Sequence, residues 1–241
     1  MGECRMENWE RERVELLLGT GDEKRFFNLL HEIVGRLGFD YYAFGMRLPL
    51  PLSNPTLILR DNCPAGWQWA SMGTALAFAK TENAQVDPSA DPLVWSVDLP
   101  MYQPPFWRDA AMHGLKAGWG QACHGPMGIS SALNLATTNT RITPRDLDFL
   151  SPRLTWLTHV AHRGLAQLLI PKYLPESQAH LSGKEVQILR LTADGKTCGA
   201  IGRIMHISER TVHFHIEKIL QKLVAANKTA AALKAAMLGL L

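Results

Sequence analysis

The sequence has few cysteines and no long apolar run, and each absence narrows the class of protein. Its four cysteines, Cys4, Cys63, Cys123 and Cys198, lie far apart and make no CxxC pair, which argues against a disulfide scaffold or a zinc ribbon. No apolar stretch approaches the roughly 18 residues of a membrane-spanning helix, and the opening MGECRMENWERERVELL is too charged for a signal peptide. We therefore expect a cytoplasmic protein with reduced thiols and no membrane partner.

Residue types used in catalysis and metal binding are present, but only in incomplete patterns. The run DGKT at 194–197 lacks the first glycine of a phosphate loop. Cys123 and His124 are adjacent, and neighbours on a strand point to opposite faces, so they do not form a nucleophile and its base. His159 and His162 could share a helix face, but without a third ligand we interpret them as a solvated surface pair. The sequence predicts no enzyme and no metal or cofactor.

The positive charge of the chain is concentrated near its C-terminus. From residue 176 onward there are nine Lys and Arg against five Asp and Glu, whereas the first 175 residues hold sixteen against seventeen. The composition is otherwise that of an ordinary globular protein, with 46% apolar and 20% charged residues in a chain of 241. A net charge of +4 on the last 66 residues indicates a nucleic-acid partner for that part.

The last sixty residues divide into four short helices, each with its own start signal. Ser182 and Glu185 form an S-x-x-E capping box, and Gly195 supplies a left-handed stop. Three more N-cap candidates follow, Thr197, Ser208 and Asn227. The pattern predicts an all-α domain over residues 181–241.

The third of these helices has one apolar face and one unusual polar face. Its apolar stripe repeats at helical spacing and consists of Val212, Ile216, Ile219, Leu220 and Leu223. The opposite face carries Arg210, His213, Phe214, Glu217, Lys218 and Gln221. Two short helices joined by a tight turn at 205–208, the second with basic, amide and apolar groups on its outer face, are what a protein needs to read the major groove of DNA. For Phe214, a contact with another domain or a second protomer stays open as an alternative.

This C-terminal run resembles the helix-turn-helix of the LuxR family of bacterial transcription regulators. The matching positions are Leu181, Glu185, Leu189, Ala193, Gly195, Lys196, Thr197, Ile201, Ile204, Ile207, Ser208, Thr211, Val212, His215, Lys222, Leu223 and Asn227. Contacts to bases or nearby phosphates are expected from Arg210, His213, Phe214, Glu217 and Lys218. Phosphate clamps are expected from Lys196, Thr197, Thr211 and Lys222.

The first 169 residues mix helix and strand patterns. Helices are predicted over 8–18, 22–37 and 144–169, and strands over 41–46, 55–60, 119–123 and 131–136. The predicted class is α+β, with an antiparallel sheet in an α/β/α sandwich. Residues 170–180, with two prolines and no period, are predicted to be a short stiff linker.

This N-terminal half also resembles a LuxR-family domain, the autoinducer-binding domain. The matches are GFDYYAFG at 38–45, Asn62, Pro64, Trp67, Trp95, Ser96, HGLKAGW at 113–119, HGPMG at 124–128, Leu133 and Leu135. The resemblance implies a pocket for an N-acyl homoserine lactone between the sheet and one helical layer. Trp67 would lie at the lactone and Trp95 would form a wall, although both could equally be core aromatics.

Several polar positions of that pocket depart from the family pattern. In an ungapped alignment Ser71 replaces a tyrosine, Lys80 replaces the aspartate that accepts the ligand amide, and Asn134 replaces a serine. Cys63 replaces a further tyrosine. An ammonium cannot accept a hydrogen bond, so we expect a regulator that folds and binds DNA without the lactone. A gapped alignment using Asp87, and with it a lactone-responsive pocket, stays open.

The expected assembly is a homodimer on double-stranded DNA. The long helix 144–169 is predicted to pair across a two-fold axis, and this pairing sets the half-site spacing. Its candidate contacts are Leu147, Leu150, Leu154 and Leu157. The second class of function is a protein-interaction module that contacts RNA polymerase or silences another family member.

Overall fold

The computed structural model describes residues 8–63, 92–96, 112–139 and 143–241. The helices are α1 (Asn8–Gly19), α2 (Glu23–Arg36), α3 (Pro144–Tyr173), α4 (Gly183–Ala193), α5 (Cys198–Met205), α6 (Glu209–Leu223) and α7 (Lys228–Met237). The strands are β1 (Tyr41–Leu48), β2 (Thr56–Asp61), β3 (Leu93–Ser96), β4 (Ala117–His124) and β5 (Ser130–Thr137). Apart from Pro126–Gly128, one compact unit, the sheet domain, ends at Leu168, and a second, the helical domain, begins at Leu169.

The five strands form one antiparallel sheet in the order β2-β1-β5-β4-β3. Three of them contain the predicted strand segments, β2 begins one residue after the predicted start of 55–60, and the predicted α+β class is confirmed. The edge strand β3 was not predicted as a strand, because four residues are too few to establish an alternating pattern.

One face of the sheet packs against helices and is built from large side chains. The ring of Phe27 on α2 stacks on Tyr42 of β1 with centroids 6.2 Å apart. The indole Nε1 of Trp119 on β4 donates a hydrogen bond to Ser151 Oγ of α3 at 2.9 Å. Trp119 is fully buried, and the predicted apolar side of α2 is buried as well. The second helical layer of the predicted sandwich stays a prediction, because residues 64–91 and 97–111 lie outside the described ranges.

Helix α3 continues four residues past its predicted end and includes Pro171. A proline inside a helix usually marks its end, but here the next turn still closes, because Leu174 N donates to Ile170 O at 2.8 Å. A 3-10 turn, Pro175–Gln178, follows directly. Most of residues 170–180 are therefore helical or 3-10, and their role as a short stiff linker between the domains stays a prediction.

The helical domain is a small four-helix unit with all four predicted caps in place. The side chain of each cap residue, Ser182, Thr197, Ser208 and Asn227, accepts a backbone N–H from the first turn of its helix. Ser182 and Glu185 form both hydrogen bonds of the capping box. The core contains Ile188, Leu189, Ile201, Val212, Ile216, Ile219, Leu223, Ala231 and Ala235. In the described ranges, no helix combines the length and apolarity needed to cross a membrane.

Candidate functional site

The turn between α5 and α6 is closed by a direct backbone approach. Ile207 N donates to Gly202 O at 3.0 Å, and His206 adopts the left-handed conformation with φ 55°. A Cβ at position 202 would lie 2.8 Å from Ile207 O, closer than real Cβ contacts. Gly202 therefore fixes the distance between the two helices. Sequence reasoning missed it, although a glycine four residues before the turn was the available signal.

Helix α6 presents the predicted base-reading side chains to solvent. Its buried residues are Val212, Ile216, Ile219 and Leu223. Its exposed residues include Arg210, His213, Phe214, Glu217 and Lys218. Phe214 is 52% exposed, so a large apolar ring lies on the face away from the core. The structure therefore brings all five predicted residues onto one accessible surface, which we call the recognition face.

Two contacts organise the charges of the recognition face. Lys218 Nζ lies 4.4 Å from the centre of the Phe214 ring, one turn earlier, in a cation–π geometry. His213 Nε2 lies 3.9 Å from Glu209 Oε1, and both side chains are exposed. The Lys218–Phe214 contact keeps a cation and an apolar ring side by side on the recognition face. Such a group can contact a phosphate and a thymine methyl at neighbouring positions.

The predicted phosphate clamps near the start of α5 are accessible. Lys196 and Thr197 are both exposed, and Thr197 Oγ1 accepts from Ala200 N at 3.3 Å as the helix cap. Thr211 is half-buried, with Oγ1 2.8 Å from Ser208 Oγ. A helix N-terminus beside a lysine is a favourable place for a phosphate.

Lys222 has a different role from the predicted phosphate clamp. Its ammonium donates to Glu185 Oε2 at 2.7 Å and to His180 O at 3.0 Å. Burial by itself raises the pKa of the Glu185 carboxyl, but hydrogen bonds from Lys222 and Ser182 outweigh it and hold that pKa below its ordinary value. Because the Glu185 carboxylate is buried, it needs this cation. Lys222 therefore ties α6 to the capping box of α4.

A second lysine, which sequence reasoning did not select, fastens the same C-terminal end of α6. Lys234 Nζ on α7 donates to Glu176 Oε1 at 2.8 Å and to the carbonyls of Leu223 and Val224 at 3.2 and 3.0 Å. These carbonyls belong to the end of α6, where no intrahelical donor is available. Val224 itself is left-handed, with φ 47°. Lys222 and Lys234 together hold the C-terminal end of α6 in place.

Most of the predicted ligand pocket lies outside the described residues, namely Trp67, Ser71 and Lys80. Trp95 belongs to β3, opposite Gly118 of β4, but its side chain is likewise outside the description. Cys63 is buried, and its Sγ donates to Tyr42 O at 3.7 Å.

Asn134 occupies the sheet face opposite to the helices, and small side chains surround it. It pairs with Ala43 of β1 and Gly120 of β4. Because alternate residues of a strand share a face, the neighbours on this face also include Gly45, Gly118, Ala132 and Ala136. We call Asn134 and these six residues the small-residue face. All six are buried, and each occupies little volume above the sheet.

The carboxamide of Asn134 has no hydrogen-bond partner in the described part of the chain. Its Oδ1 and Nδ2 are both buried and both unpaired. A Cβ on Gly120 would lie 2.4 Å from Oδ1, so the amide lies across this glycine. Leaving such a group unpaired costs about 1–3 kcal/mol. The position predicted as a pocket residue is therefore polar, buried and unsatisfied.

Of the two histidines of α3, His159 is exposed and His162 is buried, so the predicted solvated pair is wrong for His162. His162 is buried, with Nδ1 2.8 Å from Ser131 Oγ. Burial, with smaller contributions from His159 and His124, lowers the pKa of His162 to about 4. A Cβ on Gly125 would lie 2.1 Å from His162 Nε2. The ring is thus packed on that side, and the Ser–His contact does not form an accessible nucleophile–base pair.

Cys123 contacts a histidine other than its sequence neighbour. Its Sγ lies 3.1 Å from His159 Nδ1, and burial raises the pKa of the thiol to about 11. A thiol with that pKa is a poor nucleophile at neutral pH. Within the described ranges, no group of three His, Cys, Asp or Glu side chains could hold a metal ion.

The predicted dimer contacts on α3 need correction. Leu147, Leu154 and Leu157 are buried within the protomer itself, and Leu150 is half-buried. Side chains that are buried in the core of one protomer are not available to contact a second protomer. The apolar residues at helical spacing on α3 therefore form the face that points into the protomer. Phe149, 69% exposed, lies on the outward face. Arg145, Pro152, His159 and Arg163 share that outward face.

Family models match both halves of the chain. Residues 22–165 match the autoinducer binding domain, and residues 179–235 match the bacterial regulatory proteins of the luxR family. The chain is similar to the transcriptional activator SolR of Ralstonia nicotianae, 36% identical over 91% of this chain and 93% of that protein. It is also similar to the quorum-sensing regulator RhlR of Pseudomonas aeruginosa, 34% identical over 91% of both chains.

The fold agrees with solved structures of a regulator from Escherichia coli. A crystal structure of SdiA has a TM-score of 0.76 and 29% identity, covering 96% of this chain and 97% of that one. SdiA in complex with octanoyl-rac-glycerol gives a TM-score of 0.74 with 27% identity over 98% of both chains. The similar proteins are regulators and not enzymes. The chain belongs to the LuxR family, and it is a quorum-sensing transcriptional regulator of the LuxR type.

Proposed function

We propose that a homodimer of this chain reads duplex DNA with the recognition face of α6. The observation that carries the proposal is the division of α6 into a buried apolar stripe and an exposed face. That exposed face contains Arg210, His213, Phe214, Glu217 and Lys218. Arg210 and His213 would donate to base edges, Glu217 would accept from cytosine N4, and Phe214 would contact a thymine methyl. Lys218 would lie at a phosphate while stacked on Phe214.

Backbone contacts in this proposal come from Lys196, Thr197 and Thr211, which lie at or near the starts of α5 and α6. Lys222 is left out, because its ammonium is held by Glu185. Phosphate contacts of this kind position a protein on DNA without selecting a sequence.

The homodimer would form through the outward face of α3. Phe149 supplies an exposed apolar ring among charged residues. Protein interfaces often have such a central aromatic residue, which is buried on binding, with polar residues around it. Dimerisation with another family member, or a contact with RNA polymerase, would use exposed surface of the same kind. Sedimentation equilibrium of the chain alone, and of the Phe149→Glu variant, tests the homodimer.

DNA binding in this proposal does not require an N-acyl homoserine lactone. Two residues that the structure describes support this, Cys63 and Asn134. They stand at pocket positions where the family has residues with hydroxyl groups. The supporting lysine, Lys80, lies outside the described residues. The second candidate is a lactone-responsive regulator with a non-standard pocket. The unpaired amide of Asn134 favours that candidate, because a ligand would satisfy it.

One preparation separates these candidates. The full chain is expressed in a host that makes no acyl homoserine lactone, and its binding to duplex DNA is measured by fluorescence anisotropy. Soluble protein that binds DNA supports the proposal. Insoluble protein, or a rise of several degrees in melting temperature with one lactone, supports the second candidate.

The recognition face is tested by site selection from random duplexes. Arg210→Ala should relax preference at particular base pairs by about 1–3 kcal/mol. Lys184→Ala, which removes an exposed cation from α4, is the matched control and should leave the preferred sequence unchanged. The same preferred sequence for Arg210→Ala, His213→Ala and wild type would show that α6 does not read the bases.

A further inference from the structure

The recognition face carries an exposed apolar ring whose position is set by its neighbours. Phe214 is 52% exposed, so about half of its surface is free to contact another molecule. Lys218 Nζ lies 4.4 Å from the centre of the ring, and the ring of His215 lies edge-on to it with centroids 5.8 Å apart. Both contacts come from α6 itself, so the helix carries the ring in a defined place. Such a ring suits a small apolar group on a partner.

A carboxylate stands beside this ring. Glu217 follows Phe214 by three residues, and side chains at that spacing are neighbours on a helix surface, with Cβ atoms about 5–6 Å apart. Glu217 is exposed, and within the ranges that the structure describes its carboxylate makes no ion pair or hydrogen bond. A carboxylate on a surface that approaches phosphates is repelled by them. It is favourable there only when a donor on a base edge pairs with it.

The ring and the carboxylate together fit one kind of base edge. Cytosine and adenine present an amino donor to the major groove but no methyl group, and thymine presents its methyl group beside the O4 acceptor. Glu217 can accept from an amino group, whereas O4 of thymine would face the carboxylate as a second acceptor. Phe214 can pack on a methyl group, which cytosine and adenine lack. The base with an amino group and a methyl group on neighbouring ring atoms is 5-methylcytosine.

We propose that the recognition face binds 5-methylcytosine in duplex DNA, with Phe214 packed on the C5-methyl group and Glu217 accepting from the N4 amino group. This inference rests on the proposed function, in which α6 reads the major groove, and it names the base that the two side chains select together. The regulator then binds a methylated site more tightly than the same sequence without the methyl group. Its occupancy of that site depends on an enzyme that methylates cytosine at C5.

Three duplexes per position test this base on the full-length protein. The preferred site is obtained by selection from random duplexes, and each pyrimidine of either strand is then made thymine, cytosine or 5-methylcytosine, with its complement. The Kd of each duplex is measured by fluorescence anisotropy at one salt concentration, because salt changes all of them. At one position 5-methylcytosine should bind about four-fold more tightly than cytosine, the factor for burying one methyl group. Thymine there should bind at least about five-fold more weakly than 5-methylcytosine.

Two variants divide this preference between the two side chains, and both change exposed residues of α6. Phe214→Ala should bind cytosine and 5-methylcytosine equally and still discriminate against thymine. Glu217→Gln can donate to O4, so it should accept thymine and keep the preference for the methyl group. Asp194→Asn removes an exposed carboxylate at the end of α4 and, as the control, should leave both ratios unchanged. Circular dichroism shows whether each variant is folded, and the ratios on wild-type protein need no variant.

The outcomes separate this inference from the proposed function. Equal binding of cytosine and 5-methylcytosine at every position would overturn the inference. Thymine that binds as tightly as 5-methylcytosine would overturn it too, because the ring and the carboxylate would then contact different base pairs. A methyl preference retained in Phe214→Ala, or discrimination against thymine retained in Glu217→Gln, would have the same meaning. The proposed function is judged separately, by whether Arg210→Ala and His213→Ala change the selected sequence.

Discussion

The two domains of this chain are stabilised over different distances along the sequence. In the helical domain the caps join residues three apart, as in Ser182 with Glu185 and Ser208 with Thr211. In the sheet domain, Trp119 bonds to Ser151 across 32 residues and Ser131 contacts His162 across 31. Local hydrogen bonds leave a pattern in a short window of sequence, whereas pairings across a sheet do not.

The largest effect should come from closing the space between α5 and α6. Gly202→Ala places a methyl group 2.8 Å from a backbone oxygen that cannot rotate away. We expect a loss of about 3 kcal/mol in the free energy of unfolding of the helical domain and loss of DNA binding. Urea unfolding followed by far-UV circular dichroism, with DNA anisotropy, measures both.

Gly199→Ala is the control for this substitution, since it lies on the same helix. Its methyl group would meet the flexible carboxylate of Glu209 at 3.3 Å, which can move aside. Equal effects of the two variants would contradict a specific role for the turn.

Acid should destabilise the sheet domain before the helical domain. Burial lowers the pKa of His162 from 6.5 to about 4, so the folded state favours the neutral ring. Its contribution is complete above pH 6.5 and is lost as the pH falls towards 4, amounting to at most ~3 kcal/mol. The pKa of Glu185 is lowered from 4.5, so its contribution is lost only below that pH.

The tryptophans provide a probe for this difference, because all seven lie at or before Trp156. Urea unfolding followed by tryptophan fluorescence therefore reports the sheet domain. His162→Gln should flatten the dependence on pH between 6.5 and 4, and the exposed His159→Gln should not. An unchanged dependence in His162→Gln would show that other groups govern it.

These cases show which parts of the molecule the sequence predicts. The caps and stripes of the helical domain were predicted residue by residue, because each cap side chain and the backbone N–H that donates to it lie within one turn. The spacing of Leu147, Leu154 and Leu157 indicated a buried face of the helix but not which residues cover it. In the structure these leucines are buried within the same protomer. The partners of His162 and Lys222 lie more than 30 residues away, so no local signal could identify them.

A smaller effect is expected from separating Lys222 and Glu185. Lys222→Met leaves the buried carboxylate without its cation, and we expect a loss of about 1–2 kcal/mol, because the lysine is partly exposed. Lys196→Met, at an exposed position, is the control. The double variant Lys222→Met with Glu185→Gln should lose less than the sum of the single variants. Strict additivity would mean that the pair contributes nothing.

The smallest effect should be a gain in stability at the end of α6. Val224 is left-handed with φ 47° and is 72% exposed, and a β-branched residue is strained in that conformation. Val224→Gly should raise the free energy of unfolding of the helical domain by about 1 kcal/mol. Ala225→Gly, at the next position, should lower it slightly. Thermal unfolding followed by circular dichroism should give the highest melting temperature for Val224→Gly, then wild type, then Ala225→Gly.

The two internal lysine pairs also affect how salt should weaken DNA binding. A cation releases counterions from DNA only when it neutralises a phosphate, and each such contact contributes about 0.9 to the slope of log K against log salt. From residue 176 onward the chain has nine Lys and Arg, and two of them, Lys222 and Lys234, are paired with Glu185 and Glu176. At most seven per protomer then remain for DNA. The ionic-strength dependence should therefore be shallower than the number of basic residues indicates.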